Sequence, residues 1–104
     1  MFRYLQVTKG LSFIQEGNAF ILYKDNNGTL EIHDVYSEDG LIKILELRER
    51  LINKYKPIFL EGYVDKWYDN KERSHELMIK DGFKVSRESD DYIYYVKKVD
   101  YERI

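Results

Sequence analysis

A fifteen-residue stretch with helical periodicity, Leu41 to Tyr55, lies between two runs rich in strand formers, Leu30 to Tyr36 (LEIHDVY) and Ile58 to Val64 (IFLEGYV). Strand, helix and strand in that order form a βαβ crossover. Such a unit requires its two strands to be parallel and its connection right-handed. Within the helix, Leu41, Ile44, Leu45, Leu51, Ile52 and Tyr55 are expected on the core face. Lys43, Glu46, Glu49, Arg50 and Lys54 are expected on the outer face. Ser37 or Asp39 is the expected cap at its start.

Upstream, Ala19 to Lys24 (AFILYK) reads as a buried strand. Asp25-Asn26-Asn27-Gly28-Thr29 separates it from the Leu30 run. Asn-Gly between two apolar runs is a hairpin signal, because both residues tolerate positive φ. Downstream, Asp69 and Glu72 have capping-box spacing before a second helix, Asn70 to Lys80. Gly82 fits the left-handed position that ends a helix, with Phe83 packing back on it. Phe83 to Glu88 and Tyr92 to Lys98 read as strands joined by the turn Ser89-Asp90-Asp91. Residues 1–18 are the least patterned. Phe2, Tyr4, Leu5 and Val7 suggest a short strand, and Leu11 to Gln15 a helical turn between Gly10 and Gly17. Residues 99–104 are expected to form a frayed tail. The order is hairpin, helix, strand, helix, hairpin. It gives a single α/β (mixed α+β) domain over residues 1–104, with helices available to cover the sheet.

Composition excludes several functions. With no cysteine there is no disulfide, thiolate metal site or cysteine nucleophile. The two histidines, His33 and His75, lie far apart, so no metal site is expected. Charges are mixed, 17 basic against 19 acidic with a net of −2, and no basic block offers a footprint for nucleic acid. The first residues lack a signal-peptide hydrophobic region and no apolar run would span a membrane, so a cytoplasmic setting is expected. Frequent Lys, Ile, Asn and Tyr fit an AT-rich genome, such as that of a low-GC bacterium or its phage.

Over roughly residues 19–98, this order resembles the second through last strands of the GNAT superfamily of N-acetyltransferases. Ser74 and Gly82-Phe83 stand where that family places a small residue and the Gly-Phe closing its last helix. Met78 occupies the place of the family's general-acid tyrosine, and Asn70 lies one residue from its loop asparagine. Leu30 to Tyr36 resembles the strand whose exposed backbone pairs with pantetheine. The resemblance implies a central mixed sheet with one parallel strand pair and two main helices. It implies acetyl-CoA as the cofactor of an active member, contacted by Val35, Tyr36, Ser37, Gly40, Leu41 and Asn70. Some members keep a catalytic base on this strand, acting through water, and Glu31 and His33 are the candidates here. By alternation Glu31, His33 and Val35 fall in phase, and the plainer reading makes Glu31 a solvent-facing residue and His33 a surface one.

Two features depart from the family. Its phosphate loop carries a basic or glutamine residue and closely spaced glycines, whereas Ser37-Glu38-Asp39-Gly40 has one glycine and two acids. A carboxylate there repels pyrophosphate by about 1 kcal/mol or more per close charge pair. Only 18 residues precede Ala19, where the family has a strand and two helices. These departures imply a weakly active or non-catalytic relative with a degraded coenzyme A loop, acting through a protein partner or as a homodimer. The alternative is an active small N-acetyltransferase that transfers acetyl to an amine. Trp67 and Tyr68 read as core packing, with a cofactor-facing loop or a partner anchor as alternatives. Tyr92-Ile93-Tyr94-Tyr95 alternates across a strand and offers one aromatic face to self-association, and Leu77 with Met78 reads as the buried side of the second helix.

Overall fold

The computed structural model describes residues 11–38 and 40–101. Its elements are β1 (Ser12–Glu16), β2 (Ala19–Asn26), β3 (Thr29–Ser37), α1 (Leu41–Tyr55), β4 (Phe59–Asp65), α2 (Lys71–Lys80), β5 (Lys84–Glu88) and β6 (Tyr92–Lys98). One six-stranded sheet runs β1-β2-β3-β4-β6-β5. Every neighbouring pair is antiparallel except β3 and β4, which are parallel across α1. Among the described residues the architecture is thus a mixed sheet with one parallel pair and two helices.

The β2–β3 turn forms as its sequence dictates. Asn27 and Gly28 both have positive φ, 48° and 91°, as a two-residue hairpin turn of matching twist requires. The Gly28 carbonyl then accepts from the Ile58 and Phe59 amides at 2.6 and 3.1 Å, which docks the start of β4 on the turn. Segment Leu11–Gln15, expected as a helical turn, is instead largely β1, because its backbone pairs along β2 from Ser12↔Tyr23 to Glu16↔Ala19. So short a run between glycines has too little periodicity to separate the two outcomes, and the partner strand decides. The expected strand at Phe2 to Val7 lies outside the described residues.

Both helices pack on one face of the sheet. Leu30 pairs with Leu60 across the parallel strands, and β4 then buries Gly62 and Val64 on that same side. The core gathers Ile21, Tyr23, Leu30, Ile44, Leu47, Leu51, Leu60, Phe83 and Tyr95. On α1, Leu47 is 0% exposed and Leu41 is 57% exposed, which inverts the expected inner face at those two positions. Leu47 sits between Ile44 and Leu51 on one stripe, three and four residues from each, whereas Leu41 opens the helix beyond the sheet. Arg48 also turns inward. It reaches the Asp81 carboxylate at 2.6 Å, and Lys97 reaches the same carboxylate at 3.3 Å, so one carboxylate ties α1 and β6 to the end of α2. Burial pushes that carboxyl up, but the Arg48 and Lys97 cations outweigh it and hold it below the usual carboxylate range.

The caps differ from expectation at both helix starts. The α1 N-cap is Gly40, and Ser37 belongs to β3, while Asp39 lies outside the described residues. The α2 N-cap is Asn70 with no side-chain capping bond, so the Asp69–Glu72 box does not close. The C-terminus of α2 is as expected. Gly82 donates to Ile79 and Phe83 donates to Met78, each at 3.0 Å, with Gly82 at φ 97°. Replacing Gly82 with Ala is expected to cost about 1 kcal/mol, read as a lower denaturant midpoint at unchanged slope. Space is not the cause, since an added Cβ would meet the Lys97 side chain at an ordinary 3.5 Å. After β6 the chain stays docked rather than frayed: Val99 donates to the Ile58 carbonyl at 2.9 Å, and the Tyr101 hydroxyl donates to the Pro57 carbonyl.

Candidate functional site

The parallel pairing of β3 and β4 covers three positions only, Thr29↔Phe59, Leu30↔Leu60 and Glu31↔Glu61. Beyond Glu31 the strands part, and β3 keeps its ladder with β2 alone up to Ser37. At the point of parting β3 carries a bulge. Leu22 pairs with Asp34 and Tyr23 with Ile32, so His33 is the extra residue on β3. A bulge bends its strand and re-aims a side chain. It also reverses the face presented by later residues. Val35, opposite Ile21, falls on the helix side, whereas Tyr36, opposite Phe20, falls on the far side and stacks on Phe20 with ring centroids 5.9 Å apart. The expected common phase of Glu31, His33 and Val35 therefore fails at Val35.

The gap opens on the face opposite the helices, as a cleft of about 370 Å³. Glu31, Ile32 and His33 line one side, Glu61, Gly62 and Tyr63 the other, and Arg87, Tyr92 and Tyr94 close it. The closing residues follow from register. Tyr63 pairs with Tyr94 and Asp65 with Tyr92, so the rings of β4 and β6 share a face. Tyr63 meets Tyr92 edge-on at 5.1 Å, and Arg87 lies 3.7 Å over the Tyr94 ring.

Within this cleft Glu31 and His33 are partly buried and joined, with His33 Nε2 3.0 Å from Glu31 Oε1. Asn26 donates to the other oxygen, Oε2, at 2.8 Å. Burial raises the Glu31 carboxyl, but the hydrogen bonds from Asn26 and His33 outweigh it and hold it below its ordinary value. Glu31 is thus an ionised hydrogen-bond acceptor and a poor proton acceptor near neutral pH. His33 also meets Tyr63 edge-on at 5.9 Å. Burial chiefly, then the charges of Tyr92 and Asp34, push the Tyr63 hydroxyl up, which keeps it protonated. The arrangement sets an imidazole, oriented by a carboxylate, beside a protonated phenol.

The other candidates sit along the rim. Because β3 and β4 are parallel, their C-terminal ends share one edge of the sheet, the edge where ligands of open α/β sheets bind. Val35, Tyr36 and Ser37 end β3 there, Gly40 and Leu41 open α1, and Asn70 opens α2 after β4. Val35, Tyr36, Gly40 and Leu41 are exposed, and the first turn of α1 carries no acid. Glu38 lies beside that turn and accepts from the Tyr36 hydroxyl at 3.4 Å. Met78 packs on the helix side: a Cβ added to Gly62 would meet its methyl at 3.0 Å. Leu77 is exposed rather than buried, as are Tyr68 and Trp67, the last 78% exposed. Trp67 and Tyr68 therefore do not pack in the core; the Trp67 indole instead bonds Asp91 at 3.3 Å.

Sequence reasoning had no part for Asn26, Glu61, Tyr63 and Arg87 in the site. Tyr92 and Tyr94 were legible as one aromatic face, but not as the wall of a cleft. Among the described residues no group of three or more His, Asp or Glu could hold a metal ion, and no helix is long and apolar enough to cross a membrane.

No protein-family model matches the sequence, and no curated protein matches it. Solved structures do. The N-acetyltransferase PseH of Campylobacter jejuni, in complex with acetyl coenzyme A, superposes with a TM-score of 0.68 at 17% identity over 94% of this chain and 74% of that one. A putative GNAT-family acetyltransferase from Desulfovibrio desulfuricans gives 0.63 at 15% identity, over 95% and 76%. The anti-CRISPR protein AcrVA5 gives 0.58 at 12% identity, over 82% of this chain and 97% of that one. The chain has the GNAT acetyltransferase fold.

Proposed function

We propose that the chain is an acetyl-CoA-dependent N-acetyltransferase acting on a primary amine, with His33 as its base. The observation that carries this reading is the parting of β3 from β4 at the His33 bulge, which sets an oriented imidazole inside an open cleft. Acetyl-CoA, when bound, supplies an acetyl thioester whose C–S bond breaks as the amide C–N bond forms.

The residues present fit that ligand in two respects and resist it in one. From Ile32 to Ser37 the β4-facing side of β3 is outside the parallel ladder, so its backbone can pair with an extended chain of amides. The start of α1, behind Gly40 and without an acid in its first turn, offers backbone N–H groups to a phosphate. Glu38 opposes this with a carboxylate on the same rim. His33 takes the amine proton at the ring nitrogen that Glu31 does not hold, and Glu31 stabilises the imidazolium so formed. Tyr63, kept protonated, is a hydrogen-bond donor within the same cleft.

The acidic rim favours a second reading, in which the domain no longer transfers acetyl and acts through a protein partner or a second copy of itself. Glu38 carries that reading. Release of coenzyme A thiol separates the two. The first reading predicts amine-dependent thiol release from acetyl-CoA, with an acetylated amine as product. Thiol release no faster than buffer hydrolysis across aliphatic amines and lysine peptides contradicts it.

A further inference from the structure

We infer that Asn26 is a positioning residue that acts through Glu31 to hold His33 as the tautomer protonated on Nε2. The inference rests on the acetyltransferase reading for its catalytic consequence only.

The geometry is a relay across the β2–β3 hairpin. Lys24 pairs with Glu31 and Asn26 with Thr29, so Asn26 and Glu31 are diagonal neighbours on the cleft face. Asn26 Nδ2 lies 2.8 Å from Glu31 Oε2, and His33 Nε2 lies 3.0 Å from Glu31 Oε1. Each carboxylate oxygen thus has one partner. An ionised carboxylate only accepts hydrogen bonds, so the Asn26 amide must present its NH₂ and the His33 ring must carry its proton on Nε2. The Nδ1 lone pair is then left to take a proton. Asn26 fixes the rotation of the carboxylate plane, and with it which oxygen reaches His33.

The turn sets the aim of Asn26. It directly precedes Asn27-Gly28, whose positive φ values fix the hairpin register. A one-residue slip would carry Asn26 to the helix face. A residue that reads as turn chemistry is therefore also the outer member of the site.

The test uses the full chain and two readouts. Long-range ¹H–¹⁵N spectra at alkaline pH, where imidazole is neutral, report which nitrogen of His33 is protonated. The wild type is expected to show Nε2–H, and Asn26→Ala a mixture with Nδ1–H. Its kcat for acetyl transfer is expected to fall ~10-fold, the loss of one charge-assisted hydrogen bond, at unchanged KM for acetyl-CoA. Asn26→Gln, which keeps the NH₂ donor, is expected to recover part of both. Melting curves place every spectrum below the unfolding transition. An unchanged His33 spectrum in Asn26→Ala, or Nδ1–H in the wild type, overturns the inference whatever the activity. A wild type with Nε2–H and no acetyl transfer contradicts the acetyltransferase reading and leaves the positioning role standing.

Discussion

Replacing His33 with Gln is expected to lower kcat for acetyl transfer about 100-fold, the low end of what a positioned base contributes. The KM for acetyl-CoA is expected to stay unchanged. The two effects separate because the proposed cofactor contacts run along the β3 backbone and the start of α1, whereas the His33 side chain projects into the cleft. Gln keeps a hydrogen-bonding group of similar size beside Glu31, so the bulge and the hairpin are expected to hold. Loss of kcat alone points to the proton transfer; a parallel loss of thermal stability would point to a structural part instead. The matching substitution Tyr63→Phe leaves the ring wall intact and removes one donor. It is expected to have the smaller effect, since solvent can return a proton to a departing thiolate. Wild-type activity in His33→Gln would place the base elsewhere in the cleft.

The largest stability effect is expected at Leu47. Its side chain is fully buried between α1 and the sheet, among Ile44, Leu51 and the β2–β3 core. Leu47→Ala removes that packing and leaves a cavity, for an expected cost of about 3 kcal/mol. In a domain of this size that lowers the melting temperature by roughly 15 °C. Leu47→Met keeps the volume and is expected to cost less than about 1.5 kcal/mol. Leu41→Ala serves as the surface control, because Leu41 lies outside the packed stripe. A melting temperature equally low for Leu41→Ala would mean that α1 is rotated on the sheet from the position described above.

What could be read from the sequence was local chemistry. Asn27-Gly28 announces its turn through the positive φ both residues accept, and Gly82-Phe83 announces the end of α2 in the same way. The crossover from β3 through α1 to β4 follows from a change of period, and it carries the parallel pair with it. The site was less legible because it is made of non-local pairings. Nothing in Glu31-Ile32-His33-Asp34 says that His33 is skipped in the ladder with β2, yet that skip turns Val35 from the cleft face to the helix face. Tyr63 and Tyr94 meet because β4 and β6 are neighbours in an order that skips β5. Leu47 was missed for a related reason: four leucines within one helix can define different stripes, and only the sheet beneath selects among them.

Isothermal titration of the full chain with acetyl-CoA asks whether the gap between β3 and β4 holds the ligand despite the Glu38 carboxylate on its rim. Saturable one-to-one binding at micromolar concentration is expected, and tighter binding in Glu38→Gln, where one repulsive charge on the rim is removed. No heat of binding at millimolar acetyl-CoA, in the wild type and in Glu38→Gln alike, would contradict the acetyltransferase reading.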